Sequence, residues 1–165
     1  MKQPMHKTTR VPPRLLLNPI HFLSLGFGSG LSPLAPGTAG TLAALPLIIL
    51  MQQLSISLYL AITLMVCFIG IYLCGETAQR LGVHDHGAIV WDEIAGYMLT
   101  MFAAPTGWLP LLMGFVLFRL FDIWKPWPIR LLDQNVSGGI GIMLDDILAA
   151  LYAAVLLHLI LYIMR

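Results

Sequence analysis

Charge is scarce in this chain of 165 residues. Only 10% of its residues are Asp, Glu, Lys or Arg, against about 25% in a soluble domain. With 58% apolar residues and a mean hydropathy of +0.84, the deficit excludes an ordinary soluble enzyme and points to a single integral membrane domain. Cysteine is scarce too. Cys67 and Cys74 share one apolar run and stand about 10 Å apart along a helix axis. That is too far to bridge, so both are expected as buried free thiols. No secretory signal is expected: Lys2, Lys7, Arg10 and Arg14 precede an apolar stretch, but Asn18, Pro19 and His21 interrupt it. Also missing are a G-x-S-x-G elbow, a P-loop and an H-E-x-x-H zinc motif. The net charge of +1 is small, and no nucleic-acid partner is expected.

What is present is five apolar segments: Thr38–Met51, Ser57–Cys74, Ile89–Ala103, Trp108–Phe121 and Asp146–Met164. At 1.5 Å per residue, the second and fifth reach about 27–30 Å and can span hydrocarbon. The third and fourth reach about 20–23 Å, so they tilt or form a hairpin that does not fully cross. Pro46 is placed to kink the first. The connections Gln52–Ile56 and Ala104–Gly107 are short and uncharged, whereas Glu76–Ala88 and Asp122–Leu144 are long and charged. Threading the segments back and forth puts all eight acids (Glu76, Asp85, Asp92, Glu93, Asp122, Asp133, Asp145 and Asp146) at one face. The basic residues except Arg165 fall on the same face, which the positive-inside rule makes cytoplasmic. The expected fold is an all-α integral membrane protein, a compact bundle of about four to five membrane helices, some short or re-entrant. Residues 1–165 form one domain, with 1–17 a basic interfacial segment.

Gly26–Gly40 has five glycines and two prolines in fifteen residues. One reading is a re-entrant loop whose N–H groups face an anion, with Ser29 and Thr38 as phosphate contacts. The other is close packing through small residues, Gly26 and Gly30 having GxxxG spacing. The cluster His84, Asp85, His86, Trp91, Asp92, Glu93 suits a turn feeding a helix start, where acids complement the dipole or bind a hard cation such as Mg²⁺. Adjacent residues diverge by about 100° on a helix, so Asp92 and Glu93 are not expected both to aim squarely at one ion. Arg119 and Asp122 have the spacing of an intrahelical pair. Trp124 and Trp127 read as interfacial anchors, and Lys125 and Arg130 as headgroup or phosphate ligands. Gly138, Gly139 and Gly141 read as a connector or tight turn before a helix that starts at Asp145 and Asp146. Acids at three helix ends exceed what dipole matching needs. The match of Cys74 and Arg80 to C-x5-R is read as chance, because no glycine-rich cradle lies between them. His158 reads as a packing residue or interhelical donor.

These motifs together make the chain resemble the phosphatidylglycerophosphatase A family. The likeness runs from Asn18 to about Leu151 through GFGSGLSPLAPGT, VHDHGAIVWDE, FRLFDIWKPWPI and GGIGIMLDD. It implies a Mg²⁺-dependent lipid phosphatase of the bacterial inner membrane, which converts phosphatidylglycerophosphate to phosphatidylglycerol. On that reading Asp92, Glu93, Asp122, Asp145 and Asp146 hold the metal. The catalytic candidates are Asp92, Glu93, Asp122, Asp146, His84 and Asp85. Lys125, Arg119, Arg130, His86, Ser29 and Thr38 are the candidates for binding substrate phosphate. A cation pathway and a scaffold for lipid-synthesis enzymes are the competing readings.

Overall fold

The structure, a computed structural model, describes residues 11–83 and 86–164; His84 and Asp85 lie outside them. Those residues form helices joined by turns, with no strand among them. A 3₁₀ turn, Pro13–Leu17, leads into α1 (Pro19–Ser24), and a second, Gly26–Leu31, into α2 (Pro36–Ala43). Then come α3 (Leu45–Met51), α4 (Ile56–Leu81), α5 (Trp91–Thr100), α6 (Trp108–Trp124), α7 (Ile129–Asn135) and α8 (Gly138–Ile163).

The ends of α4 follow local chemistry. Ser55 caps its start by accepting the Leu58 N–H. Gly82, at φ +70°, ends it in the left-handed conformation. Pro46 divides the first apolar segment into α2 and α3, because it lacks an N–H and crowds the carbonyl four residues back.

Several boundaries differ from the sequence reading. The helix expected to start at Asp146 starts at Gly138, so Asp145 and Asp146 sit about two turns inside it. Gly139 and Gly141 are therefore helical rather than a connector, while Gly138, at φ +77°, turns the chain into the helix. Glycine disfavours helix locally, which is why the pattern points the other way; here the glycines permit contact, as a Cβ on Gly139 would strike the Ile71 carbonyl of α4. Likewise α4 continues past Cys74 to Leu81, taking Glu76 and Arg80 out of the expected loop. The third segment yields only the ten residues of α5, about 15 Å of helix, since Ile89 and Val90 precede the helix and residues 101–103 turn away after it. His158 bonds the Ala154 carbonyl of its own helix rather than a neighbour.

Among the described residues, α4 and α8 are the two helices long and apolar enough to cross a membrane. Each has 26 residues, about 39 Å. α8 packs against α4, α5 and α6, with Ala149, Ala150, Ala153 and Leu157 fully buried. Small residues bring the backbones close. Polar tips in this core are satisfied: Tyr59 Oη donates to the Met98 carbonyl at 2.8 Å, Tyr97 Oη to Leu111 at 2.7 Å, and Trp91 Nε1 to Val66 at 3.1 Å. Cys67 and Cys74 are buried free thiols, as expected.

Gly96 on α5 lies against Phe118 of α6, where a Cβ would sit 2.6 and 2.7 Å from ring carbons. Alanine favours helix by about 1 kcal/mol over glycine, but overpacking costs about 1–3 kcal/mol. Because Phe118 is fully buried, the clash should win. Gly96→Ala is expected to lower the thermal unfolding midpoint in detergent; an unchanged or higher midpoint would mean that the ring has room to move.

Candidate metal and phosphate site

The polar end of the bundle gathers the first turn of α5, the last turns of α6 and the early turns of α8. Asp92 and Glu93 stand in the first turn of α5, and Asp146 projects from α8. Ligand oxygens of these three carboxylates all lie within 4.8 Å of one another. Asp92 and Asp146 are buried and Glu93 nearly so. Thus Asp92 and Glu93 do reach one point despite their angular divergence. The longer glutamate chain has an extra torsion with which to turn back towards its neighbour.

This trio cannot be fully ionised without a counter-charge. At an effective dielectric of about 20, two like charges 4.8 Å apart repel by about 3–4 kcal/mol. Three such pairs approach the whole stability of a typical domain, about 5–15 kcal/mol. Protons or a cation must offset the repulsion. Glu93 Oε2 and Asp146 Oδ2 are buried without a hydrogen-bond partner. Buried oxygen donors left in this state suit a hard cation such as Mg²⁺ or Ca²⁺ better than a soft metal.

Two cationic side chains border the trio, and both are engaged. Arg119 Nη1 lies 2.5 Å from Asp122 and 3.6 Å from Glu93. Asp122 in turn interacts electrostatically with Asp146. Lys125 Nζ lies 2.7 Å from Asp133 and 2.5 Å from Asp145. Burial alone would lower the pKa of Lys125, but hydrogen bonds to Asp133 and Asp145, with their charge, outweigh it and raise the pKa. The ammonium stays protonated at every physiological pH.

Other candidates fall around this core. Asp145 is drawn to Lys125 and stands outside the trio. His86 is half-buried before α5, its Nδ1 accepting the Ala88 N–H at 3.1 Å. Ser29 Oγ turns inward to donate to the Gly26 carbonyl. Thr38 is half-buried in the first turn of α2, and Arg130 is exposed on α7. The C-x5-R run lies wholly within α4, so its side chains radiate from a helix instead of curling round a phosphate. Cys74 is fully buried, with Sγ against the Met143 sulfur.

Two participants escape a reading of the sequence. Asp133 pairs with Lys125 across the Pro126–Pro128 turn, a contact with no helical spacing to reveal it. Gly37 is the other: a Cβ there would strike Glu93 Oε1 and lie 3.0 Å from both terminal nitrogens of Arg119. Its signal is a glycine in the first turn of a helix, directly after Pro36.

The fold and site define an apolar helical protein with a buried carboxylate cluster that could hold a metal ion. The chain belongs to the phosphatidylglycerophosphatase A family, whose model matches residues 22–161. A phosphatidylglycerophosphatase A from Escherichia coli K12 is 51% identical over 158 residues, covering 95% of this chain and 92% of that protein. One from Haemophilus influenzae is 49% identical over 149 residues, covering 89% and 91%. No solved structure matches the chain.

Removing Arg119 would leave Glu93 and Asp122 without their cation. Breaking a buried pair from one side costs about 3–5 kcal/mol. Arg119→Met is expected to destabilise the protein strongly, and adding Asp122→Leu to recover part of the loss. Thermal unfolding of both variants measures this, and a wild-type midpoint for Arg119→Met would show that these pairs contribute little.

Proposed function

We propose that the chain hydrolyses the terminal phosphate of phosphatidylglycerophosphate, giving phosphatidylglycerol and inorganic phosphate, with Mg²⁺, at the cytoplasmic face of a bacterial inner membrane. The observation that carries this reading is the convergence of Asp92, Glu93 and Asp146 in a member of this family. Six carboxylates crowd this end against the two cationic side chains that touch them, Arg119 and Lys125. A phosphate dianion would be repelled unless further positive charge were bound.

Asp92, Glu93 and Asp146 would hold the Mg²⁺. When bound, the ion would neutralise phosphate charge and polarise the phosphoryl group. Arg119 keeps Glu93 and Asp122 oriented from behind, and Gly37 leaves room for it to do so. Because His86 Nδ1 accepts the Ala88 N–H, the neutral ring carries its proton on Nε2. That leaves Nδ1 unable to take a proton, which argues against His86 as the base. The base that takes the water proton falls to Asp122, Asp85 or His84. The leaving glyceryl oxygen takes up a proton, and the phosphate departs.

Membrane embedding explains the apolar exterior. Only 28% of the most apolar stretch of either long helix is buried, and Leu64, Met65, Phe68, Val155 and Leu159 are exposed. A soluble core helix would bury such residues. We read the assembly as a multi-pass bundle of four to five segments in which α5 dips without crossing. Trp124 and Trp127, both exposed, anchor the interface. Arg14, Arg80, Lys125 and Arg130 share the carboxylate end, which supports a cytoplasmic orientation of that end. A cation pathway is disfavoured because the opposite end has no charged side chain among the described residues.

Chelation should abolish phosphate release by the purified protein in mixed micelles, and Mg²⁺ should restore it. Asp92→Asn, Glu93→Gln and Asp146→Asn should each lower kcat by about a hundredfold or more. Full activity in all three would sink the carboxylate–metal reading. Cys74→Ser should retain nearly full turnover; a folded but inactive protein would restore the cysteine as a nucleophile candidate.

A further inference from the structure

A second polar feature stands at the same end of the bundle, and its charge is opposite. A cavity of about 490 Å³ opens between the first 3₁₀ turn, α1 and the last turn of α4. Arg14, Asn18, His21 and Arg80 supply its polar lining, and Leu15 and Leu81 part of its apolar wall. Among the described residues, no carboxylate lines it.

Its polar groups are mostly donors. Among the described residues, neither Arg14 nor Arg80 forms an ion pair. Arg80 has Glu76 four residues before it on α4, the spacing that favours a pair, yet the two are not joined. Asn18 Oδ1 is occupied in accepting the Ile20 N–H, which leaves the amide NH₂ to donate. His21 is buried, and its Nδ1 lies 2.9 Å from Thr77 Oγ1, which fixes the ring against α4. Two guanidinium forks at the rim of one cavity match the oxygens of a phosphate. The leucines beside them, with Leu17 86% exposed nearby, suit a ligand that is apolar at one end.

We propose that this cavity binds the phosphate of an anionic phospholipid, as a site separate from the carboxylate centre. The inference rests on reading this end of the bundle as the membrane surface. α4 is about 39 Å long, longer than the roughly 30 Å hydrocarbon core, so its last turn reaches headgroup level. A lipid held there would tie α1 to α4, and so steady the segment whose Ser24 carbonyl accepts the Val90 N–H at the entry to α5.

The test uses the full chain in neutral detergent with chelator, titrated with short-chain phosphatidylglycerol and followed by native mass spectrometry. Saturable binding is expected, at least about tenfold weaker in the double variant Arg14→Gln/Arg80→Gln. Arg130→Gln, at the same end but outside the cavity, should bind as wild type does. Phosphatidylcholine of equal chain length should bind at least tenfold more weakly, and inorganic phosphate at equimolar concentration should not displace the lipid. Wild-type affinity in the double variant would overturn the site. So would an equal loss in Arg130→Gln, which would mean bulk surface attraction, or equal binding of phosphatidylcholine. Displacement by phosphate would overturn the lipid assignment. Because both arginines are exposed, the double variant should fold, with phosphate release at saturating substrate within about twofold of wild type. Lipid binding is thus scored apart from the hydrolase reading.

Discussion

Crowded negative charge is the constraint on which the rest of this structure depends. Asp92, Glu93 and Asp146 converge within 4.8 Å at the polar end of an apolar bundle, where their own burial leaves little water to screen them. Asp122, Asp133 and Asp145 surround them, each paired with Arg119 or Lys125. Salt-bridge partners therefore sit mostly on the periphery, Arg119 reaching only Glu93 of the trio at 3.6 Å, and the core of the cluster is left largely for something else. If the acids were only helix caps, such convergence would be a pure cost, because dipole matching needs one acid per helix start and no contact between helices.

Bringing three helices this close takes small residues more than attraction. Gly96 lets Phe118 of α6 lie on α5, and the Asp146 carbonyl is 3.3 Å from where its Cβ would be. Gly40 does the same for Val90, the residue just before α5, at 2.5 Å. Gly37 lets Arg119 approach Glu93. In apolar surroundings there is little hydrophobic drive between helices, so dispersion at short range and polar contacts hold them. The glycine-rich stretch before α2 acts here chiefly by close packing. Its 3₁₀ turn bends through Phe27 and Gly28 at positive φ, and this returns the chain to meet Ala88–Val90.

The features legible in the sequence were those governed by composition and period. The all-helical fold, the long apolar helices, the break at Pro46 and the gathering of Asp92, Glu93, Asp122 and Asp146 at one end all followed from hydropathy and threading. What escaped was set by tertiary contact. Glycines 138, 139 and 141 weaken a helix locally, yet Gly139 packs against α4 and Gly141 against Val136, so α8 begins eight residues earlier than its apolar run. Asp133 looked idle because its partner Lys125 lies beyond a proline turn. The role of Gly37 depends on an absent side chain, which hydropathy cannot register.

Asp145 and Asp146 illustrate how adjacent like residues acquire different work. Neighbours on a helix diverge by about 100°, so one cannot follow the other. Asp146 faces α5 and meets Asp92 and Glu93, whereas Asp145 turns to Lys125. That lysine caps α6 with φ +45°, a left-handed conformation that costs a non-glycine residue of order 1–3 kcal/mol. Glycine would relieve the strain but would leave Asp133 and Asp145 without a cation, and a buried carboxylate stripped of its partner costs about 3–5 kcal/mol. Losing the cation is worse than keeping the strain, so lysine is favoured. The strained cap thus holds Asp145 in a pair and prevents it from adding a fourth charge to the trio, where its repulsion would fall on the oxygens best placed to take a cation.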